Sequence, residues 1–387
     1  MEVIKMKVEF CKGTLEDRQD IVDFGDLVFS KNSRPHDFQT LLPKLYGPAS
    51  QFEPLHYLVK EDGKIRAMIC VLPMEYRVGN KILKINGVGT VSVHPAARSR
   101  GYMKKLMAWA LEDMETEGYD FSVLGGQRQR YEYFGYTPMG TRLRYTVTRD
   151  NLRHRYAGRT FASLHLRPME EKDVADCYAL YEQQSIRVCR SQEEFLAVLR
   201  SWTATPWVVE ENDSIVGYFC SNGNLLPEVL LRDPALLPDL LHTFFQQFGA
   251  PSEAILILPE WDLTFTPELG RLAESIRTEA DHNYRIFHFA DVVQAFLQVK
   301  AGYTPLPDGQ LTLTVDGGET FTIVVENGIA SVQKAVSTPD ALALSPLQAE
   351  RLLFTREGWR EIPQAASSFL VRSWFPLPLL TPEQDNC

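Results

Sequence analysis

The stretch VSVHPAARSRGYMKKLM, Val91–Met107, changes its periodicity midway. Val91, Ser92 and Val93 read as the end of a strand. From Gly101 onward Met103, Leu106, Met107, Ala110 and Met114 recur at the i, i+3, i+4 spacing of a helix, and Gly118 stops the pattern. Between the two lie Pro95, which turns the chain out of the strand, and the run Arg98-Ser99-Arg100-Gly101-Tyr102-Met103. The first N–H groups of a helix have no partner inside it, and the helix macrodipole adds roughly half a positive charge there. Two arginine side chains at that end are unfavourable for the helix by about a few tenths of a kcal/mol each. Gly101 lets the backbone come close to an oxygen. This junction is expected to hold an anion, and a diphosphate is its natural guest.

Outward from the junction, residues 8–150 read β-α-β-β-β-α-β-α-β. The first ten residues, MEVIKMKVEF, alternate like a strand. Residues 57–60 and 65–72 are two strands joined by the turn Glu61-Asp62-Gly63, 82–93 holds two short strands broken at Gly87 and Gly89, and YDFSVL (119–124) is another strand. A weak echo follows. TPWVVEENDSIVGYFC (205–220) resembles PLHYLVKEDGKIRAMIC (54–70), and LHLRPMEEKDVADCYAL (164–180) resembles VEFCKGTLEDRQDIVDF (8–24). This is the pattern of a diverged duplication. The second copy has prolines where the first has arginines, so it is expected to keep the fold and lose the site. From 285 a helix in YRIFHFADVVQAFL and three alternating strands in QLTLTVDGGETFTIVVENGIASVQKA make a small α+β unit. Prolines at 376, 378 and 382 keep the tail FPLPLLTPEQDNC from forming regular structure. The expected organisation is a mixed central sheet flanked by helices over 1–150, a degenerate copy over 151–284, and the α+β unit over 285–387.

The 387 residues carry a net charge of −10, which argues against binding nucleic acid through a basic surface and suits a cationic small molecule. No run of eighteen apolar residues is present, so no membrane span is expected. The six cysteines show no metal-ligand spacing, so no metal is expected. The N-terminus lacks the apolar core of a signal peptide, and with unpaired thiols this places the chain in a cytoplasm.

The pattern V-x-V-x-P-x-x-R-x-x-G at 91–101 resembles the acetyl-CoA-binding motif of the GNAT N-acetyltransferases. That likeness implies backbone contacts to the pantetheine arm from Val91, Ser92 and Val93, and a pyrophosphate loop made of Arg98, Ser99, Arg100, Gly101, Tyr102 and Met103. The family usually places glycine or alanine where Met103 stands. The second motif, RYEYFGYTPMG (130–140), contains Y-x-x-F-G-Y. Together with the duplication and the final α+β unit it resembles the Eis-type enzymes, which have two GNAT-like domains and a C-terminal domain similar to sterol carrier protein. The resemblance makes Tyr131 the general acid. It makes the chain's terminal carboxylate, on Cys387, a base that reaches back into the site.

The implied reaction is direct attack of an amine on acetyl-CoA, with a backbone N–H near Val93 meeting the oxyanion. Amines of a cationic small molecule such as an aminoglycoside are the first candidates for acceptor. Lysine side chains of a protein or peptide are the second. A lipid-carrying or regulatory binding protein is the alternative from another class. The likeness also implies a homo-oligomer, such as a hexamer. His56 and His94 read as structural, and Trp202, Trp207 and Trp261 as core or interface residues.

Overall fold

The structure is a computed structural model that describes residues 6–32, 34–249 and 252–387. The strand expected in the first ten residues lies partly outside the described residues, and the part inside them forms β1. Along the chain run β1 (Val8–Lys12), β2 (His56–Glu61), β3 (Lys64–Val78), β4 (Lys81–Val93), β5 (Phe121–Leu124), β6 (Thr137–Met139), β7 (Arg142–Thr148) and β8 (Leu164–Pro168). They are followed by β9 (Ile186–Val188), β10 (Thr205–Glu211), β11 (Ser214–Asn222), β12 (Leu225–Leu231), β13 (Glu253–Pro259), β14 (Ser275–Glu279) and β15 (His282–Ile286).

These strands make two sheets. The first has the order β1-β2-β3-β4-β5-β15-β6, with β9 added to β3, and the second β8-β10-β11-β12-β13-β7-β14. Along each order every neighbouring pair is antiparallel except one in the middle, β4–β5 in the first and β12–β13 in the second. The boundaries expected at 150 and 284 do not separate the sheets. β7 lies in the second sheet, and β15 enters the first between β5 and β6. Only Gly140, at φ +78°, and Thr141 link β6 to β7. Both exchanged strands alternate like ordinary strands, and nothing local tells which sheet will take them. Residues 284–286, read from the sequence as the approach to a helix, belong to β15; the helix begins at Phe289.

β4 also corrects an expectation. It is one strand, not two, and Gly87 and Gly89 lie inside it. Cys70 pairs with Gly89 and Met68 with Ser92, so Thr90 and Val91 together oppose Ile69. This is a β-bulge, with Thr90 at φ +44°. β4 pairs with β5 only from Ile85 to Val88, and beyond that the two part.

The helix Tyr102–Thr116 covers this half of the sheet. Leu106, Met107, Ala110 and Met114 are fully buried against Tyr57, Val59, Ala67, Ile69 and Val88. Burial of each large apolar side chain is worth about 1.5–3 kcal/mol. Their helical spacing and the absence of β-branched residues before Thr116 explain why the segment folds this way. On the other face of the sheet, Tyr76, Ile85, Phe121 and Tyr284 share one core with Phe296, Phe354 and Trp374 of the last hundred residues. That last unit has the helix Phe289–Tyr303 and a sheet of β16 (Gly309–Val315), β17 (Thr320–Glu326), β18 (Ile329–Lys334) and β19 (Leu342–Leu344). Among the described residues no helix is long and apolar enough to cross a membrane.

The tail has little regular structure, as its prolines predict, yet it is docked. Leu377, Leu379 and Leu380 are buried. The Leu379 carbonyl accepts from Thr141 N at 3.0 Å, and the Tyr76 hydroxyl donates to the Leu380 carbonyl at 2.5 Å.

Candidate active site

Where β4 leaves β5, two connected hollows open along its edge. One, of about 1300 Å³, runs from Arg98 and Met103 past Val93 and Val91 to Arg130 and Tyr131. The other, of about 1540 Å³, shares Val91, Arg130 and Tyr131 with it and continues over Gly89 and Thr90 to Asp281, His282, Asn386 and Cys387. Tyr131 therefore stands between the helix junction and the end of the chain.

At the junction Gly101 is the residue before the helix, at φ +75°, and a Cβ there would meet nothing within 4 Å. Ser99 is also left-handed, at φ +65°. Arg98 and Met103 face the hollow; Met103 fills part of its wall and packs on the core beneath. The two arginines of the junction are placed differently. Arg100 pairs with Glu61 and donates to the Ala96 carbonyl at 3.2 Å. The Tyr102 hydroxyl donates to the same Glu61 at 2.6 Å. Tyr102 and Arg100 hold Glu61 below the usual carboxylate range. Glu61 was read from the sequence only as part of a turn. The second cation of the hollow is Arg130, one residue before Tyr131 in the motif at 130–140.

Ser92 is buried, and its hydroxyl donates to the Thr90 carbonyl at 2.9 Å, which braces the bulge. Tyr131 is 7% exposed. Burial pushes its hydroxyl above the ordinary tyrosine value, with Arg130 opposing, so it stays protonated at neutral pH. The end of the chain lies over Gly89. A Cβ on Gly89 would stand 2.6 Å from a terminal carboxylate oxygen and 2.9 Å from the Cys387 Sγ. The absence of a side chain at 89 makes room for the carboxylate. Desolvation pushes the Cys387 thiol up to about 11 and keeps it protonated.

Two contributions were not read from the sequence. Trp202 lines the second hollow and donates from Nε1 to the Asn386 carbonyl at 3.2 Å. His56 sits beneath the bulge, wholly buried, and desolvation lowers it to about 4. Its Nδ1 is 2.8 Å from the Phe52 carbonyl, which can only accept, so Nδ1 carries the proton. Nε2 lies 3.0 Å from the Tyr46 hydroxyl, which donates to Thr90 Oγ1 at 3.0 Å. A histidine at the start of an apolar strand gives no sequence signal of such a role.

The geometry joins a helix start with an open Gly101, through a split strand, to a buried tyrosine and a carboxylate. Residues 10–139 match the acetyltransferase (GNAT) domain family. No curated protein matches the sequence. Among solved structures, a GCN5-related N-acetyltransferase from Anabaena variabilis is 18% identical with a TM-score of 0.70, covering 97% of this chain and 98% of that one. One from Kribbella flavida is 16% identical with a TM-score of 0.70, covering all of both chains. Eis1 from Mycobacterium abscessus is 15% identical with a TM-score of 0.64, covering 98% of this chain and 100% of its own. At these identities the likeness to the solved structures is one of fold. Residues 10–139 are thus a GNAT acetyltransferase domain, whose co-substrate is acetyl-CoA, and the protein that carries it is an N-acetyltransferase.

Proposed function

We propose that the protein moves the acetyl group of acetyl-CoA directly to an amine of a cationic small molecule of the aminoglycoside type. Arg98, Arg130 and the amides at the start of the Tyr102–Thr116 helix would hold the pyrophosphate. The open space at Gly101 and the left-handed backbone there fit that group. The edge of β4 from Gly89 to Val93, which β5 no longer pairs, would hold the pantetheine arm. The amine nitrogen bonds to the acetyl carbon, the carbon–sulfur bond breaks, the leaving sulfur takes its proton from the Tyr131 hydroxyl, and the surplus proton on nitrogen returns to the Tyr131 oxygen through solvent. An alkyl ammonium must first lose a proton, at a cost of roughly 4–5 kcal/mol at pH 7. The Cys387 carboxylate is the group that takes it.

One observation carries this proposal: the terminal carboxylate packs over Gly89 in the hollow that Tyr131 also lines. Asp281 and Glu383 line the same hollow, each paired with Arg142. By the same resemblance the second sheet is a degenerate copy of the first, the last unit is sterol-carrier-like, and the protein is a cytoplasmic homo-oligomer. The matching strand senses of the two sheets favour the first of these points. Thiol release from acetyl-CoA, measured against aminoglycosides, polyamines and lysine peptides, tests the acceptor. Turnover is expected with an aminoglycoside, and turnover with lysine peptides alone would replace it by a protein substrate. Adding three residues after Cys387 moves the carboxylate out of place and is expected to lower kcat at least tenfold. Undiminished kcat would remove the carboxylate from the mechanism.

A further inference from the structure

Behind the tail, away from the hollow, lies a cluster of buried charges that the reaction does not use. Arg190, just after β9, is 6% exposed. Its Nη1 and Nη2 donate to the two Glu228 oxygens at 2.9 and 2.8 Å, and its Nε and Nη2 donate to the two Asp385 oxygens at 3.1 and 2.9 Å. The guanidinium carbon lies 4.1 Å from the centre of the Tyr181 ring, and the Tyr218 hydroxyl donates to Glu228 at 2.7 Å. One arginine between two carboxylates leaves a negative excess. Lys44 offsets it, donating from Nζ to the Gln384 carbonyl at 2.5 Å, while burial lowers it to about 8. The four charged groups come from four places: the loop after β9, β12, the turn at Pro43–Tyr46, and the tail two residues before its end.

Buried ion pairs are poor devices for stability, since apolar residues of the same volume hold a core as well or better. What a doubly bidentate arginine adds is register, because its fixed fork accepts one placement of each carboxylate. Elsewhere the tail is held by single N–H contacts, such as Thr381 N to Asp281 at 2.8 Å and Trp202 Nε1 to the Asn386 carbonyl at 3.2 Å. A slip of one residue moves the chain end by about 3.3 Å, and a base must stand within about 2.6–3.2 Å of the proton it takes. We propose that Arg190 is a positioning residue that fixes the register of the tail through Asp385, so that the region around the second sheet contributes the placement of the terminal carboxylate. This rests on the function proposed above.

The test compares the full-length protein with D385N and R190K, and with a chain lacking Asn386 and Cys387. D385N changes only the tail, so it reports even where R190K folds poorly. Release of Cys387 by carboxypeptidase is expected to be at least tenfold faster in D385N. Its kcat with the best acceptor is expected to fall at least tenfold, with acetyl-CoA affinity by calorimetry within twofold. In the shortened chain D385N is expected to lower kcat no further. Unchanged release of Cys387 from D385N overturns the proposal. So does unchanged kcat in D385N when the shortened chain is itself impaired. If release is faster in D385N and the shortened chain keeps full kcat, Arg190 does fix the tail, and what fails is the carboxylate as base.

Discussion

The two sheets carry nearly the same hairpin and part ways at their third strands. In the first, Val59 pairs with Ala67 and Lys60 with Ile65; in the second, Val209 pairs with Gly217 and Glu210 with Ile215. The same irregularity falls at positions 150 residues apart, and Cys70 and Cys220 correspond. Across from Cys70 stands Gly89; across from Cys220 stands Glu228. Both sheets split beside this position, and both splits receive a carboxylate. In the first, glycine leaves room for the end of the chain, and a tyrosine and an open cleft share the space. In the second, the position makes its own carboxylate, and Arg190 neutralises it.

The helix junctions differ in the same sense. The first offers Arg98 and an open Gly101; the second has Asp233-Pro234, and Asp239 in the first turn is buried and paired with Arg159. An acid at a helix start suits the helix dipole and repels a diphosphate. The two sheets therefore treat the same place differently: the first sets Gly89 against the end of the chain, and the second sets Glu228 against Arg190.

The largest expected effect separates the splits by their acid. β5 is followed by a short helix ending in Tyr131, while β13 is followed by Trp261 and Asp262. Among the described residues the Tyr131 hydroxyl has no hydrogen-bond partner, so it is available to the leaving sulfur. Y131F is expected to lower kcat by about 10²–10³-fold and to leave acetyl-CoA affinity by calorimetry within twofold. An equal loss in affinity would make Tyr131 a wall of the binding groove and erase this difference between the sheets.

The next effect comes from beneath the bulge. At the spacing of 150, His56 corresponds to Pro206, so the second sheet has no equivalent of the chain from Phe52 to Thr90. His56 is lowered from 6.5 to about 4 by burial. Below pH 6.5 the unfolded chain binds a proton that the folded one refuses, so stability is full above 6.5 and falls as pH drops towards 4. The fall amounts to about 3 kcal/mol for the two and a half units. H56Q is expected to be less stable at pH 7 but to lose less between pH 7 and 4.5, measured by urea unfolding. Parallel curves for the two proteins would mean that His56 is not held neutral there.

Much of this was legible in the sequence. The helix Tyr102–Thr116, the tail without regular structure and the last α+β unit follow from apolar spacing and prolines, which act locally. The echo at 205–220 pointed to the hairpin with its correct offset. What was not legible depends on chain segments far apart. The exchange of β7 and β15 follows from sheet closure, and their own alternation is the same in either sheet. Arg100 looked like a ligand for phosphate because Glu61, thirty-nine residues earlier, is not visible as its partner until the sheet forms. His56 gave no sign because its role needs Tyr46 and Thr90 to meet it.

The smallest effect is the most direct test of the comparison, since it concerns one methyl group at the position where the sheets differ. Gly89 is not at positive φ, so its backbone accepts alanine; the constraint is space. The added Cβ would stand 2.6 Å from the terminal carboxylate oxygen, closer than real contacts allow, and the chain end must shift. A displacement of about 1 Å in a reacting group can cost up to about 10²-fold. The carboxylate is at the end of the chain and moves more easily than a core group, so G89A is expected to lower kcat by about tenfold. In a chain lacking Asn386 and Cys387 the same substitution has nothing to displace and is expected to have no further effect, because the two changes act on one interaction. If G89A lowers kcat equally in both chains, the glycine serves the cofactor edge of β4. The contrast between Gly89 and Glu228 would then concern the pantetheine groove and not the placement of a base.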